Sequence, residues 1–474
     1  MSKYKLIFFP YRGRGELVRL TFAAAGETYE EQIITKQEWP NFKSKMPTGQ
    51  LPVLEVGGKQ LSQSLAIARY LAREFGLAGQ SNLEQCLVDQ VIDEAADGFK
   101  QYLLYHNETA EDKKLEVKNA LMNEKIPQFT RILQTLLENY GGTNGYFVGP
   151  GLTLADLACH EIFTHFLRLN PEALKDFPRL AENRKKVEEN ENLKQCSGIG
   201  TMFLNPKPTA VPLKSAHAWA YLFEQTSLSE GHISVYHKPD NTSRPTSTLG
   251  HTSTTIFPST LYYQHLPDNM PSHKLIYFGL RGRGELIRLA FAAAGQTYEE
   301  DTVTFPDWPA LKPKMPTGQL PVLEVDGKQL SQSLAIARYL GREFGLAGKN
   351  NLDQCLVDQV IDTAADCLTE YVKSHFEKDE TKKTEITKTL VDETIPKFAR
   401  ILTTFLENSG GKNGFFVGSE LTLADLACHE VFTDFLLLNA DALKDFPKLA
   451  ANRQKVEDNE NVKRYLDKRP ENPI

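Results

Sequence analysis

The segment MPTGQLPVLEV stands at residues 46–56 and is repeated without a change at residues 315–325. Two further segments, KQLSQSLAIARYL and LTLADLACHE, recur at the same offset. The match extends outward without a gap until residues 1–195 align with residues 270–464. Solenoid repeats are about 20–50 residues long, so a unit of about 200 residues indicates a duplicated module. We refer to the two modules as copy 1 and copy 2.

Residues 196–269 separate the copies and have a different composition. Pro, Ser and Thr are frequent there, and neither a helical nor a strand period is sustained. This composition predicts a disordered linker. Met270 lies in register with Met1, so two joined neighbouring genes and an evolved fusion both fit the sequence.

Each copy divides into an α/β part followed by an all-helical part. In copy 1 the predicted strand, helix, strand, hairpin and helix cover residues 5–9, 14–26, 28–34, 51–61 and 64–75. Beyond them, apolar residues at helical spacing predict a long amphipathic helix from about residue 83 and a second over 111–139. Thr153 and Asp156 predict an N-terminal capping box. The predicted domain boundaries are 1–79, 82–195, 270–348 and 351–474.

The composition excludes several classes of protein. Of the 474 residues, 41% are hydrophobic and 24% are charged, which is typical of a globular protein. A net charge of −7 argues against a nucleic-acid partner. No apolar run reaches the roughly 18 residues of a membrane span, and we expect no membrane partner. Six cysteines without a CxxC pair predict neither a disulfide framework nor a zinc site and favour the reducing cytoplasm.

Two short motifs have both a structural and a functional interpretation. Gly13-Arg14-Gly15 lies between a strand and a helix, but Val18 replaces the third glycine of a dinucleotide fingerprint. It therefore predicts a tight turn with an arginine at a helix start. Ser64 is predicted to cap the helix that follows Gln63, where free N–H groups also suit a carboxylate.

An aspartate stripe follows the long helix, with Asp89, Asp93 and Asp97 at intervals of four residues. Copy 2 has the same stripe at Asp358, Asp362 and Asp366. Such a stripe is usually solvated surface, and this is the structural prediction. The functional alternatives are a divalent-cation site and a contact to a ligand amine.

Taken together, the motifs resemble those of the sigma-class glutathione S-transferases, a family that includes S-crystallins and haematopoietic prostaglandin D synthases. The resemblance rests on RGRGE after the first strand, PTGQLPVLEV, SQSLAIARYL and TLADLACHE, and it leaves out only the linker. It implies the cytosolic glutathione transferase architecture, present twice. Each copy would have an α/β thioredoxin-like N-terminal domain and an all-α C-terminal domain.

The resemblance also implies the site residues. In copy 2, Tyr277 is the implied catalytic tyrosine and Arg283 supports the sulfur site. The other implied glutathione contacts of copy 2 are Phe278, Trp308, Lys312, Gln319, Leu320, cis-Pro321, Gln332, Ser333 and Asp366, the last reaching the site of the paired module. The corresponding contacts of copy 1 are Phe9, Arg14, Trp39, Lys43, Gln50, Leu51, Pro52, Gln63, Ser64 and Asp97.

The copies differ at the catalytic position, which is Tyr277 in copy 2 and Phe8 in copy 1. A thiol of pKa about 8.5 is mostly protonated at pH 7, and the thiolate is the nucleophile. A hydroxyl that donates to the sulfur stabilises the thiolate by about 1.5–3 kcal/mol. Phenylalanine lacks that hydroxyl, so copy 1 is predicted to catalyse weakly. Tyr11 is an alternative donor, although its counterpart in copy 2 is Leu280.

The sequence therefore predicts a glutathione transferase whose substrates are glutathione and a hydrophobic electrophile. One alternative is a non-catalytic binder or crystallin-like structural protein, and another is a prostaglandin-H2 isomerase. Leu104 and Lys373 replace the acceptor-site tryptophan of the prostaglandin synthases, which disfavours the isomerase. Ala96 and Ala365 replace an aspartate of their metal cluster, so no metal is predicted to be required. The copies are predicted to pair within one chain or between two chains.

Overall fold

The computed structural model describes residues 2–142, 144–197, 234–235, 273–409 and 411–470. The predicted disordered linker, 196–269, lies outside the described residues except at 196–197 and 234–235. Residues 196–197 belong to the helix Glu191–Ser197, and Ser234–Val235 is a short strand. Across the described ranges, no helix combines the length and apolar character that crossing a bilayer requires.

Each copy contains a four-stranded mixed sheet with the same topology. The strands are β1 Tyr4–Phe8, β2 Glu30–Ile33, β3 Val53–Val56, β4 Lys59–Leu61, β5 Ser234–Val235, β6 His273–Phe278, β7 Glu299–Val303, β8 Val322–Val325 and β9 Lys328–Leu330. The spatial orders are β4-β3-β1-β2-β5 and β7-β6-β8-β9. The first two strands of each copy are parallel and the others antiparallel, so β5 only adds an antiparallel edge to β2.

Helices cover both faces of each sheet because the central strands are apolar on both sides. The helices of the α/β parts are α1 Glu16–Ala25, α2 Trp39–Lys43, α3 Ser64–Glu74 and, in copy 2, α10 Glu285–Ala293, α11 Trp308–Leu311 and α12 Ser333–Glu343. Leu6 and Phe8 face the main core, whereas Ile7 joins a small separate cluster with Trp39 of α2. This arrangement is the thioredoxin-like layer.

The remaining helices form an all-α bundle in each copy. They are α4 Asn82–Asn107, α5 Glu111–Ala120, α6 Ile126–Tyr140, α7 Leu154–Leu169, α8 Pro178–Glu189, α9 Glu191–Ser197, α13 Asn351–Phe376, α14 Glu380–Thr389, α15 Ile395–Asn408, α16 Leu423–Leu438, α17 Pro447–Glu457 and α18 Glu460–Leu466. The predicted capping box of Thr153 and Asp156 is confirmed. The fold is thus thioredoxin-like plus all-α, present twice.

The single helix predicted over 111–139 is wrong in one respect, because a π-helical turn at Leu121–Lys125 divides it into α5 and α6. Pro127 lies directly after the turn. Proline has no N–H to donate, and its ring collides with the carbonyl four residues earlier, so a widened turn accommodates it. Copy 2 shows the same turn, Leu390–Thr394, before Pro396.

The two copies pack against each other through their long helices. Helix α4 of copy 1 contacts α12 of copy 2, and α13 of copy 2 contacts α3 of copy 1. The contact is polar at its edges, where Arg73 lies 3.1 Å from Asp358 and Arg342 lies 3.2 Å from Asp89. The copies thus form one continuous body with an internal pseudo-twofold arrangement.

The aspartate stripe is not the solvated surface that its spacing predicts. Asp89 and Asp93 are buried, and Arg69 lies 2.7 Å and 2.5 Å from their carboxylates. The pKa of Asp89 is lowered because nearby arginines outweigh the cost of its burial. Helical spacing shows which residues share a face, but it does not show that a second module covers that face.

The aromatic residue near the end of the first strand packs directly beneath the start of the first helix. A Cβ atom added at Gly284 would lie 2.4 Å from the Tyr277 ring, and one added at Gly15 would lie 2.4 Å from the Phe8 ring. Only glycine leaves room for the ring at this position. The RGRGE motif is therefore a packing requirement as well as a turn.

Replacement of Arg69 by methionine is expected to destabilise the protein by about 3–5 kcal/mol, because Asp89 and Asp93 would stay buried without their partner. Lys185→Met is the matched control, since the Lys185–Glu189 pair is exposed on both sides. It should change stability by less than about 1 kcal/mol. Urea unfolding followed by circular dichroism measures both. Equal changes in the free energy of unfolding of the two variants would contradict the buried pairing of Arg69 with Asp89 and Asp93.

Replacement of Gly284 by alanine is expected to destabilise the protein by about 1–3 kcal/mol, because the new methyl group collides with the Tyr277 ring. Gly151→Ala is the control, since a Cβ atom there meets nothing within 4 Å. Thermal unfolding of both variants checks the prediction. A Gly284→Ala protein as stable as the Gly151→Ala protein would show that the ring does not lie against the helix.

Candidate functional site

Tyr277 lies near the C-terminal end of β6 with only 5% of its surface exposed. Its hydroxyl oxygen accepts a hydrogen bond of 3.0 Å from the backbone N–H of Arg283. Burial raises the pKa of Tyr277, although the N–H groups at the helix start oppose that rise. The phenol therefore stays neutral, and its own hydrogen remains able to donate to a ligand.

An aromatic cluster extends the site toward α11. Phe278 packs edge-on against Trp308 at 5.7 Å and stacks on Phe305 at 4.8 Å. Lys312 follows Trp308 by one helical turn and is exposed. The structure therefore places the predicted contacts Phe278, Trp308 and Lys312 on one side of the strand end.

The loop before β8 supplies the next group of predicted residues. The Leu320–Pro321 peptide bond is cis, as is Leu51–Pro52 in copy 1, so this prediction is confirmed. Gln319 and Leu320 are half-buried directly before it. The strand itself begins at Val322, one residue after the proline.

Gln332 and Ser333 form the start of α12. Ser333 is the first helical residue and Gln332 is the N-cap, with a φ of 64°. Copy 1 shows the same geometry at Gln63, so the prediction that Ser64 is the cap is wrong by one residue. The unpaired N–H groups of a helix start attract an anion. A strained conformation at such a position is typical of a ligand site.

The opposite copy completes each of these helix starts. Gln90 of α4 accepts hydrogen bonds of 2.8 Å from both the backbone N–H and the hydroxyl of Ser331. Gln359 of α13 accepts the corresponding pair from Ser62 at 2.6 Å and 2.9 Å. These residues were missed from the sequence, where the signal was a polar residue on an otherwise apolar helix face.

The side chain of each N-cap glutamine also contacts the opposite copy. The amide nitrogen of Gln332 donates to Glu94 at 2.6 Å, and that of Gln63 donates to Thr363 at 2.9 Å. Glu94 and Thr363 occupy equivalent positions in the two long helices. The acceptor is therefore a carboxyl group at one site and a hydroxyl group at the other.

The last aspartate of each stripe lines the cavity between the copies. Burial raises the pKa of Asp366, while Arg14 and a hydrogen bond from Gln63, both of copy 1, act in the opposite direction. Asp97 lines the same cavity as Arg283, and its carboxylate lies 3.1 Å from Lys100. Asp366 thus lies near the helix start of copy 1, and Asp97 lines the cavity that also contains the helix start of copy 2.

A cavity of about 440 Å³ lies between the copies and joins the two helix starts. Its lining includes Arg14, Ser64, Arg283 and Ser333. Within the described ranges, no group of three or more His, Cys, Asp or Glu side chains is arranged to hold a metal ion. The lining thus combines the two helix starts and their arginines with acidic side chains, among them Asp97 and Asp366.

Copy 1 repeats the architecture without the hydroxyl group. Phe8 is 3% exposed and takes the place of Tyr277, and Phe9 packs edge-on against Trp39 at 5.6 Å. Tyr11 is 44% exposed, and its ring stacks on Phe9 at 5.2 Å. Its ring also lies edge-on to Phe8 at 6.0 Å, so it is beside both aromatic rings of the strand end, whereas the Tyr277 ring lies under the helix start.

The remaining predicted contacts of copy 1 keep the positions of their counterparts. Lys43 ends α2, and Gln50 and Leu51 lie immediately before the cis-proline Pro52. Gln50 and Lys43 are exposed and Leu51 is half-buried. Lys43 thus lies at the end of α2, and Gln50 and Leu51 lie in the loop before β3.

The walls of the two sites differ beyond the strand end. In copy 1, Tyr102 lies 4.4 Å from the His165 ring and 6.1 Å from the Phe99 ring. In copy 2, Asp434 occupies the position of His165 and pairs with Arg281. Copy 1 therefore offers a more aromatic wall and copy 2 a more charged one.

Comparisons with known proteins agree with this geometry. The model for the "Glutathione S-transferase, N-terminal domain" matches residues 4–73 and 273–342, and the model for the C-terminal domain matches 96–195 and 365–469.

Three relatives each match one copy's length of this chain. "S-crystallin SL11" from Nototodarus sloanii is 39% identical, over 42% of this chain and 98% of its own length. "Probable glutathione S-transferase 6" from Caenorhabditis elegans is 40% identical, over 43% of this chain and all of its own length. "Hematopoietic prostaglandin D synthase" from Gallus gallus is 40% identical with the same two coverages. With both family domains present twice, the chain belongs to the glutathione S-transferase family.

Proposed function

We propose that this chain is a glutathione transferase in which copy 2 activates the thiol through Tyr277 and copy 1 is impaired. The observation that carries the proposal is the hydrogen bond from the Arg283 N–H to the Tyr277 hydroxyl oxygen. Because that oxygen is already an acceptor, its hydrogen is directed to another partner. A sulfur bound at the strand end is the proposed partner.

Glutathione binding is proposed to use the helix start, the strand end and the loop before the cis-proline of each copy. The γ-glutamyl carboxylate binds at the helix start of Gln332 and Ser333, and its ammonium group is neutralised by Asp97 of the opposite copy. The cysteinyl backbone pairs with Leu320, and the glycine end binds at Trp308 and Lys312. Copy 1 offers the equivalent positions, with Asp366 contributed by copy 2.

The chemical step begins when the glutathione thiol releases its proton to solvent. The Tyr277 hydroxyl donates a hydrogen bond to the thiolate, which stabilises it by about 1.5–3 kcal/mol and lowers the thiol pKa by about one to two units. Arg283 adds a positive charge near the sulfur. The sulfur lone pair then forms a bond to an electrophilic carbon, and the leaving group departs with the electrons of its own bond.

Copy 1 is proposed to bind glutathione but to catalyse its conjugation only weakly, so that it acts mainly as a binder. Phe8 favours this second role because it supplies packing at the strand end but no hydrogen-bond donor. The proposed assembly is one chain with two unequal sites, since each site takes side chains from the other copy. Free thiols suit the proposed cytoplasmic location, and they are found at Cys86, Cys159, Cys355, Cys367 and Cys428.

Replacement of Tyr277 by phenylalanine is expected to lower kcat/KM for conjugation of an aryl halide by about 10–100-fold, because the thiolate loses its donor. Conjugation is followed by absorbance, and the pKa of the bound thiol is followed by ultraviolet difference spectra. The bound thiol should become about one to two pKa units less acidic in copy 2. Full activity of the variant would disprove the role of Tyr277.

The matched control is Phe8→Tyr, which places the same hydroxyl beneath the equivalent helix start in copy 1. It should raise the total activity and give copy 1 an acidic bound thiol. Tyr11→Phe is the second control and should leave the activity of the chain unchanged, since that activity is proposed to reside in copy 2. A parent chain without conjugating activity would favour the binder hypothesis for both copies.

A further inference from the structure

One buried position distinguishes the two glutathione sites more sharply than the rest of the long helices. Glu94 is 0% exposed and accepts a hydrogen bond from Gln332 of the copy 2 site. Its counterpart, Thr363, is also buried and accepts the same bond from Gln63 of the copy 1 site. Both acceptors hold the glutamine amide in the same orientation, but only Glu94 can carry a charge.

Glu94 is poorly compensated for a buried carboxyl group. Its second oxygen, Oε1, is buried and has no hydrogen-bond partner within the part of the chain that the structure describes. An ionised carboxylate in that state is costly, whereas a neutral carboxyl group is tolerated more easily. Burial and the charge of Asp97 raise the pKa of Glu94 to about 8, although the hydrogen bond from Gln332 opposes the rise.

The charged groups around Glu94 come from four elements. Asp93 and Asp97 lie on its own helix, and both raise its pKa. Arg338 of α12 lies 3.7 Å from Asp93 but pairs more closely with Asp358, at 2.7 Å.

The other charged groups line the cavity. Arg283 comes from the turn before α10, and Glu161 comes from α7. The positive charges are thus engaged or turned to the cavity, and the nearest neighbours of Glu94 are acidic.

On the basis of the proposed function, we propose that the copy 2 site binds glutathione with Glu94 protonated. The copy 1 site has Thr363 in that place and does not require a protonated carboxyl group. The ligand brings its γ-glutamyl carboxylate to Gln332, the residue that Glu94 contacts. Two carboxylates sharing one glutamine repel each other in a buried site. When Glu94 is ionised before the ligand binds, its carboxylate takes up one proton from solvent as the ligand binds. Glu94 is therefore a positioning residue whose charge state sets the affinity.

The test uses S-methylglutathione as the probe, because its blocked sulfur cannot ionise. The full chain with Ser64→Asp reports on copy 2, since a carboxylate at the helix start repels the ligand from copy 1. The full chain with Ser333→Asp reports on copy 1. Titration calorimetry at pH 7 and pH 9 should show that copy 2 loses about tenfold more affinity than copy 1, and ionisation of the ligand amine cancels in the comparison.

Reciprocal exchange provides the matched variants. Glu94→Thr should reduce the pH dependence of copy 2 to that of copy 1, and Thr363→Glu should transfer the dependence to copy 1. At pH 8, titrations in buffers of different ionisation enthalpy should detect proton uptake at copy 2 and none after Glu94→Thr. A purely structural role for Glu94 would leave proton uptake unchanged by the exchange.

Equal pH dependence at the two sites, or dependence that persists after Glu94→Thr, would overturn the inference and leave the proposed function intact. Absence of S-methylglutathione binding at both sites at both values of pH would overturn the proposed function and the inference with it.

Discussion

The hydrogen bonds from Ser331 to Gln90 and from Ser62 to Gln359 are the contacts on which both sites depend. They bring the long helix of one copy against the segment that begins the ligand-binding helix of the other. Separating the copies would expose these amide and hydroxyl groups, and water would replace their present partners. A typical hydrogen bond within a protein contributes about 0.5–1.5 kcal/mol net, so each binding segment is held in place partly by the other copy.

The copies share their framework and differ at the reactive positions. Both copies have the glycine that contacts the strand-end ring, the cis-proline, the glutamine N-cap and the arginine–aspartate pairs. The differences lie at Phe8 and Tyr277, at Glu94 and Thr363, and at His165 and Asp434. The framework can stay constant because packing requires it. The three pairs alter the strand end, the contact to the N-cap glutamine and the wall beyond the strand end without altering the fold.

Much of the fold follows from the sequence because the two copies confirm each other. Strand and helix patterns, the hairpin and the capping box are local features, and the structure shows them within one or two residues. The break before Pro127 was missed because a π turn keeps the chain helical and adds only one residue to a turn, which leaves no clear signal in the sequence pattern. The cap at Gln63 was missed because serine is a common cap, while a glutamine with positive φ is not.

The site was only partly predictable. Residues that lie in the motifs, such as Tyr277 and Ser333, could be placed from the resemblance. Burial of Asp89 and the contact of Glu94 with Gln332 depend on how one copy covers the other, and no pattern within one module encodes that contact. Alignment of the two long helices places Glu94 opposite Thr363, but it does not show which glutamine each of them contacts.

The covalent joining of two unlike modules fixes their proportion. Separate chains bearing Phe8-type and Tyr277-type sites would assort into like and unlike pairs according to their expression. Here every chain carries one site of each type. In the structure, the side chains that complete each site come from the other, unlike half. Substitutions in either half are thus inherited together with the neighbour against which they were selected.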